Sequence, residues 1–360
     1  MPRQAIMVIA CLLAAVSSIW HSPQISYINF SLLGLLFCLM VVVNGFKRLR
    51  ILDYLAIYIL KRCVSLRDIT ATLVGITFFV SMLVTNDVAL MTFVPLTLVI
   101  GTQLNRDMAK IIIWQTLAAN LGSALMPMGS PHNLFLYAHY AMSFWQFLSY
   151  TILLVIIAAL WLWWLVAQES EKVLNIVLEA VEFGPRKELF IFIGLFVLCL
   201  LGVSRLLDYR VIVVITIVVV GSFARGLFRL VDYSLLVTFV GLFIFIGNIS
   251  HLPVVLDIKN NFMSSGCGVY FMSIAVSQIV SNVPAAILLA GFTEYAKELL
   301  LGVNIGGLGT IIASMSSVIS YKLYVEQNEN KGRHYLRVFT YYNFIGLVVL
   351  GTLIYFLAIR

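Results

Sequence analysis

Charge is scarce in this sequence. Only 11% of the 360 residues are Asp, Glu, Lys or Arg, and 62% are hydrophobic; mean hydropathy is +1.03. A soluble domain carries roughly 25% charged residues, so the composition excludes a water-soluble globular class and points to a chain embedded in lipid. No stretch is polar and long enough to form a soluble domain of its own; the longest polar linker runs over about 168–188. Cysteine is sparse too. Cys11, Cys38, Cys63, Cys199 and Cys267 are scattered, odd in number and without CxxC or Cys/His spacing, which leaves no basis for a disulfide framework or a zinc site. HExxH, GxSxG and paired membrane aspartates are missing, which removes the common routes to intramembrane hydrolysis. GxxxxGKS/T is missing as well, so a permease without its own ATPase is expected rather than an enzyme.

What the chain does have is apolar runs. They fall over 5–20, 27–44, 69–103, 108–140, 147–167, 189–204, 211–224, 233–250, 263–292, 303–321 and 338–358, with shorter interfacial stretches at 51–59 and 254–261. Runs this long, without the short alternating segments of a barrel, predict helices, which satisfy their own backbone hydrogen bonds in lipid. The opening "MPRQAIMVIACLLAAVSSIW" has the shape of a signal peptide, but the repeat described below needs it as a retained first helix. The formal charge of +7 reads as cytoplasmic-side bias rather than nucleic-acid binding. If the two runs that contain a VSxxVxN motif, 69–103 and 263–292, are hairpins that return to their starting side, all of the 23 basic residues except Arg205, Arg210, Lys259, Lys297 and Arg360 share one side. That side is then the cytoplasm, with the N-terminus inside, the C-terminus outside, nine crossings and two hairpins. The membrane expected is the plasma membrane of a prokaryote.

Two of these runs stop in the same way. "VSMLVTN" (80–86) and "VSQIVSN" (276–282) both end an apolar stretch on Asn, and each is followed by a second matched pair. "NLGSALMPMGSPHN" (120–133) and "NIGGLGTIIASMSS" (304–317) align without gaps at Asn120 with Asn304, Gly122 with Gly306 and Ser130 with Ser314, and beyond them at Tyr137 with Tyr321. Two matched pairs in the same order predict a first repeat over 1–167, with a hairpin over 68–104 and a broken helix over 107–141. A linker and joining helix occupy 168–208. The second repeat covers 209–360, with a hairpin over 262–300 and a broken helix over 303–322. The first hairpin opens inward and the second outward, so the repeats are inverted, an architecture in which binding sites form near the midplane where broken helices meet.

Backbone leaves helical geometry inside a bilayer only where it is buried or lines a cavity. The clusters Gly122, Pro127, Gly129, Pro131 and Gly306, Gly307, Gly309 predict such breaks; freed carbonyls suit a cation and freed amides an anion. Asp87 stands inside an apolar run, while the other fifteen acids fall in loops or at segment ends. A carboxylate there is a functional hypothesis by default: burial disfavours its charge and a bound cation restores it, which is the coupling that a proton or sodium site exploits. His132 can titrate or donate to an anion, and Asn86 and Asn282 offer donors and acceptors at the hairpin tips. Any Na⁺ would sit at Asn86, Asp87 and Asn282.

At "TNDVALMTFVPL", "NLGSALMPMGSPHN" and "SNVPAAILL" the chain resembles the ion-transporter superfamily of citrate-transporter-like permeases, sodium/dicarboxylate symporters and arsenite/antimonite permeases. The resemblance covers nearly the whole chain. It implies binding roles for Thr85, Asn86, Ser281 and Asn282 at the tips and for Asn120, Ser123, Gly129, Asn133, Asn304, Gly306 and Thr310 in the breaks, with an elevator-like movement of the site. Asp87 and Val283 stand where the symporters place threonine; Asn86-Asp87 resembles the arsenite permease tip, and "MGSPHN" the break of the anion permeases. The expected function is secondary active transport of a small inorganic or carboxylate anion, coupled to Na⁺ or H⁺. The alternatives are arsenite/antimonite efflux and Na⁺/H⁺ exchange. No cofactor beyond the coupling ion is expected, and the expected partners are the anion and lipid, with a homodimer allowed.

Overall fold

Polar residues set where most helices begin. The computed structural model describes residues 2–171, 182–250 and 263–360. Its first half holds α1 (Pro2–Trp20), α2 (Phe30–Arg48), α3 (Ile51–Leu60), α4 (Leu66–Leu83), α5 (Asn86–Leu104), α6 (Ala109–Gly122), α7 (Pro131–His139) and α8 (Phe144–Ala167). Its second half holds α9 (Arg186–Val203), α10 (Tyr209–Phe223), α11 (Tyr233–Ile249), α12 (Gly266–Val280), α13 (Asn282–Ala290), α14 (Ala296–Gly306), α15 (Met315–Gln327) and α16 (Gly332–Ile354). No strand occurs among the described residues. Asn29 caps α2 by accepting from Leu32 N at 3.0 Å, and Ser65 with Asp68 forms a reciprocal capping box on α4. Ser143, Asp232 and Ser265 cap α8, α11 and α12. Each such cap contributes about 1 kcal/mol, which explains why the chain places its few polar residues between apolar runs.

Among the described residues five helices are long and apolar enough to cross a membrane: α2, α4, α5, α8 and the run Glu329–Ile359 that contains α16. Residues 172–181 of the expected linker and the expected interfacial stretch 254–261 lie outside the described residues, and so do Lys172 and Lys259 of the charge-bias reading. The two expected hairpins are unequal. The helices α4 and α5 have 18 and 19 residues, whereas α12 and α13 have 15 and 9. At 1.5 Å per residue each arm of the first is long enough to span, and α13 is not.

Some boundaries move. The second hairpin ends at Ala290, not at residue 300, and the second broken helix begins at Ala296, not at 303. The reason is a tight polar turn in which Thr293 Oγ1 accepts from Tyr295 N at 3.1 Å, after which Lys297 donates to the carbonyl of Ala358 and Glu298 lies beside Gly266. Those charged side chains belong to a helix and not to a loop. The first broken helix is narrower than 107–141, running from Ala109 to His139.

The helices α1, α2, α9, α10 and α11 form one wall. Gly241 of α11 lies so close to α1 that an added Cβ would stand 3.0 Å from the Ala10 carbonyl, and Asn248 donates to Ser17 and Ser18 at 3.1 Å each. Small residues of this kind let helices approach in lipid. A helix pair with a break, an interrupted helix and a long helix recur as α4–α5, α6–α7, α8 and as α12–α13, α14–α15, α16. The two runs interlock, with α15 packed on α5 and α6 and with α13 packed on α7.

Candidate functional site

That interlocking brings the first turns of five helices to one cavity of about 60 Å³. Asn86 and Asp87 of α5, Pro131 and His132 of α7, Asn282 to Pro284 of α13, and Ser314 to Ser316 at the start of α15 line it. Asp232 and Leu235 bring the start of α11 to the same wall. A helix N-terminus carries unsatisfied N–H groups and roughly half a positive charge, so the convergence creates a positive field without the help of a side chain. Among the described residues no lysine or arginine lines the cavity. A second cavity of about 140 Å³ shares Asp87, Pro131, Asp232 and Leu235 with the first and adds Thr85 and Lys47.

Behind the lining, amides connect the two halves. Asn86 Nδ2 donates to Asn120 Oδ1 at 3.1 Å, and Ser314 Oγ donates to the same oxygen at 3.0 Å. Asn304 Nδ2 donates to Asn133 Oδ1 and to Leu300 O, both at 2.8 Å. His132 Nε2 lies 3.3 Å from Asn304 Oδ1 and 3.2 Å from Ser130 Oγ, and Asn133 Nδ2 donates to Ser123 O at 3.1 Å. Asp87 Oδ1 accepts from Ser316 Oγ at 2.6 Å, which ties the first hairpin tip to the second broken helix. The half-buried Asp87 also stands in the first turn of α5.

The second tip is strained. Ser281 has φ 76° and ψ 154°, a region that costs a non-glycine residue about 1–3 kcal/mol. Its conformation is held by Asn282 N, which donates to Ala313 O at 2.9 Å, and by Ser281 Oγ, which donates to the same carbonyl at 3.3 Å.

Of the expected residues, Asn86, Asp87, His132, Ser281, Asn282 and Ser314 line the cavity, and Thr85 lines its extension. Asn120, Ser123, Ser130, Asn133 and Asn304 form the layer behind. Gly122, Gly129 and Gly306 are close-approach positions: an added Cβ would fall 2.4 Å from Phe78 O, 2.2 Å from Ser123 O and 2.7 Å from Ser277 Cβ respectively. Thr310 is not brought to the cavity; it bonds Gln278 through its N–H and its hydroxyl.

Sequence reading passes over Ser316, Asp232 and Gln278. Asp232 reads as an ordinary segment-end acid, and only the packing of α11 carries it to the cavity. Gln278 sits inside the quoted "VSQIVSN", and its amide spans the second break, donating to Gly306 O at 2.8 Å and Leu308 O at 3.0 Å while accepting from Thr310 N at 2.9 Å. The side chain does for the interrupted backbone what another helical turn would do. Gln278→Leu should therefore destabilise the protein by about 2–4 kcal/mol, since buried orphaned groups cost ~1–3 kcal/mol each and do not add fully. Thermal unfolding in detergent reads this, and an unchanged midpoint would mean that water already serves those groups.

The family described as citrate transporter matches residues 1–297. An uncharacterized transporter of Methanocaldococcus jannaschii is 34% identical over 295 residues, which cover 80% of this chain and 79% of that protein. Inner membrane protein YbiR of Escherichia coli is 27% identical over 292 residues, 79% of this chain and 77% of its own. A silicon efflux transporter of Oryza sativa subsp. japonica is 29% identical over 121 residues, 34% of this chain and 25% of its own. With its apolar helices and a family match over most of its length, the chain belongs to the citrate transporter family and is a multi-pass membrane transporter.

Proposed function

We propose that this protein is a secondary active transporter of a small inorganic or carboxylate anion, driven by Na⁺ or H⁺ across a prokaryotic plasma membrane. The observation that carries this reading is the convergence of five helix N-termini on one cavity, since such termini attract negative charge and present free amides to it. The cavity is small beside the ~300–1,000 Å³ of pockets for drug-sized ligands, which suits a compact ligand. Importing a dianion against about 100 mV costs ~4.6 kcal/mol, so at least two cations must enter with it to offset the potential. Asp87 and Asp232 on the cavity wall, with Asn86 and Asn282, are the groups to hold them.

We read the recurring element order as two inverted repeats, residues 1–167 and 209–360, with the N-terminus in the cytoplasm. The first hairpin opens inward and the second outward. An elevator-like shift of hairpins and broken helices against the wall of α1, α2, α9, α10 and α11 then exposes the cavity to each side in turn. A second reading is efflux of arsenite, antimonite or a similar weakly acidic hydroxide, which is neutral when protonated. The two carboxylates on the cavity wall favour it, and a silicon efflux transporter is among the similar proteins. Na⁺/H⁺ exchange alone leaves the convergent N-termini without a ligand of the sign they attract.

Liposomes containing the purified protein test the proposal. Citrate, succinate, sulfate, phosphate and arsenite are offered separately under an inward Na⁺ or H⁺ gradient, beside Asp87→Asn. One anion should accumulate and lose its accumulation when the gradient is collapsed, and Asp87→Asn should cut the rate at least tenfold. Release of arsenite from preloaded vesicles, with no uptake of any anion, would move the function to efflux.

A further inference from the structure

Two buried atoms at this site have no hydrogen-bond partner, and they are of opposite kind. One is Asn120 Nδ2, the other His132 Nδ1; the two residues are 4% and 2% exposed. The Asn120 amide is oriented by its oxygen, which accepts from Asn86 Nδ2 and Ser314 Oγ, so the free atom is a donor. Asn304 settles the His132 ring in the same way. Its Nδ2 donates to Asn133 Oδ1 and Leu300 O, so its Oδ1 faces His132 Nε2, and that nitrogen must carry the hydrogen. In the neutral ring the free Nδ1 then holds a lone pair. The imidazole, on a residue that lines the cavity, thus carries a buried acceptor without a partner.

The helix N-termini at the cavity supply donors, which hold acceptor oxygens. His132 Nδ1 supplies an acceptor, which a fully deprotonated oxyanion cannot satisfy. We propose that the transported species is an oxyacid that keeps at least one O–H, and that His132 Nδ1 accepts that hydrogen and sets the preference. This rests on the small-anion reading above and narrows it: hydroxycarboxylates, hydrogen phosphate and protonated metalloid hydroxides fit, whereas sulfate and carboxylates without a hydroxyl do not. A site built to hydrogen-bond an O–H rejects the analogue that lacks it, because its own buried group is left unpaired.

The test uses the full chain, purified in detergent, and two pairs of ligands. Citrate is compared with tricarballylate, which lacks only the hydroxyl, and hydrogen phosphate with sulfate, by ligand-induced thermal stabilisation and by competition. In the pair that binds, the O–H-bearing member should bind at least tenfold more tightly. His132→Leu should bring the ratio to within about threefold, while His132→Gln, whose amide oxygen can accept the hydrogen, should keep most of it. Equal affinity within a pair, or a ratio that survives His132→Leu, overturns the inference and leaves anion transport standing. Binding of arsenous acid alone, lost in His132→Leu, supports the inference and overturns the charged-anion reading. Binding of none of these ligands overturns both.

Discussion

Gly122→Ala should leave little folded protein. An added Cβ at this position would stand 2.4 Å from Phe78 O and 2.8 Å from Ser81 Oγ, and the closer obstacle is backbone that no rotamer change can clear. Either α6 moves off α4, which opens the packing beneath the first hairpin tip, or α4 bends. Overpacking normally costs ~1–3 kcal/mol, and a clash with backbone belongs above that range, at about 3–5 kcal/mol. Gly75→Ala and Gly194→Ala are the matched controls. Nothing lies within 4 Å of either added Cβ, and both sit in helices, where alanine gains ~0.5–1 kcal/mol over glycine. Fluorescence-detected size exclusion of tagged variants would show the contrast: normal monodisperse peaks for the controls and a reduced or aggregated one for Gly122→Ala. A normal peak and midpoint for Gly122→Ala would refute the close-approach account.

Asn304→Leu should fold and fail to transport. Leucine keeps the volume, but Asn133 Oδ1 and Leu300 O each lose a donor, and the N–H of His132 loses one of its two acceptors and keeps Ser130 Oγ at 3.2 Å. Leu300 O keeps its helical bond, so Asn133 Oδ1 is the group left orphaned, at a cost of about 1–3 kcal/mol. Asn133 and His132 belong to the first broken helix and Asn304 to the second, so the variant cuts the amide link between the halves behind the cavity. Transport in liposomes should fall at least a hundredfold, which corresponds to about 2.7 kcal/mol of lost positioning. Asn304→Asp, which keeps the acceptor for His132 and loses the donor, should fall between the two. Wild-type rates for Asn304→Leu would show that the substrate does not depend on this layer.

Much of this arrangement was visible in the sequence. Asn120, Asn133 and Asn304 interrupt apolar runs beside glycine and proline, and an interruption inside a membrane helix signals itself through composition. Asn86 and Asn282 were marked by their shared motif. Asp232 was not, because an acid before "YSLL" is also the ordinary cap of a helix, and only tertiary packing separates a cap from a cavity wall. The start of α14 was hidden for a related reason: "AKELLL" reads as polar loop until Lys297 and Glu298 are seen to have neighbours in the turn that follows α16 and at the start of α12. Gly122 and Gly306 were expected as points of helix breakage; in the fold they are the last helical residues before each break, pressed on α4 and α12.

The pairing of α1 with α11 has a consequence for how the chain is made. Trp20 ends α1 and Tyr233 begins α11; at about 5–20 residues per second the ribosome needs on the order of 10–40 s to pass from one to the other. For that interval α1 lies in the bilayer without the partner that receives its small-residue face. It is suited to wait, because Ser17 and Ser18 both donate their hydroxyl hydrogens to Ala14 O, at 3.0 and 2.7 Å, which leaves no polar hydrogen of these residues bare in lipid. The lone pairs of those hydroxyls are what Asn248 meets when α11 arrives. The register between the halves is thus written early in synthesis and read by a helix made late.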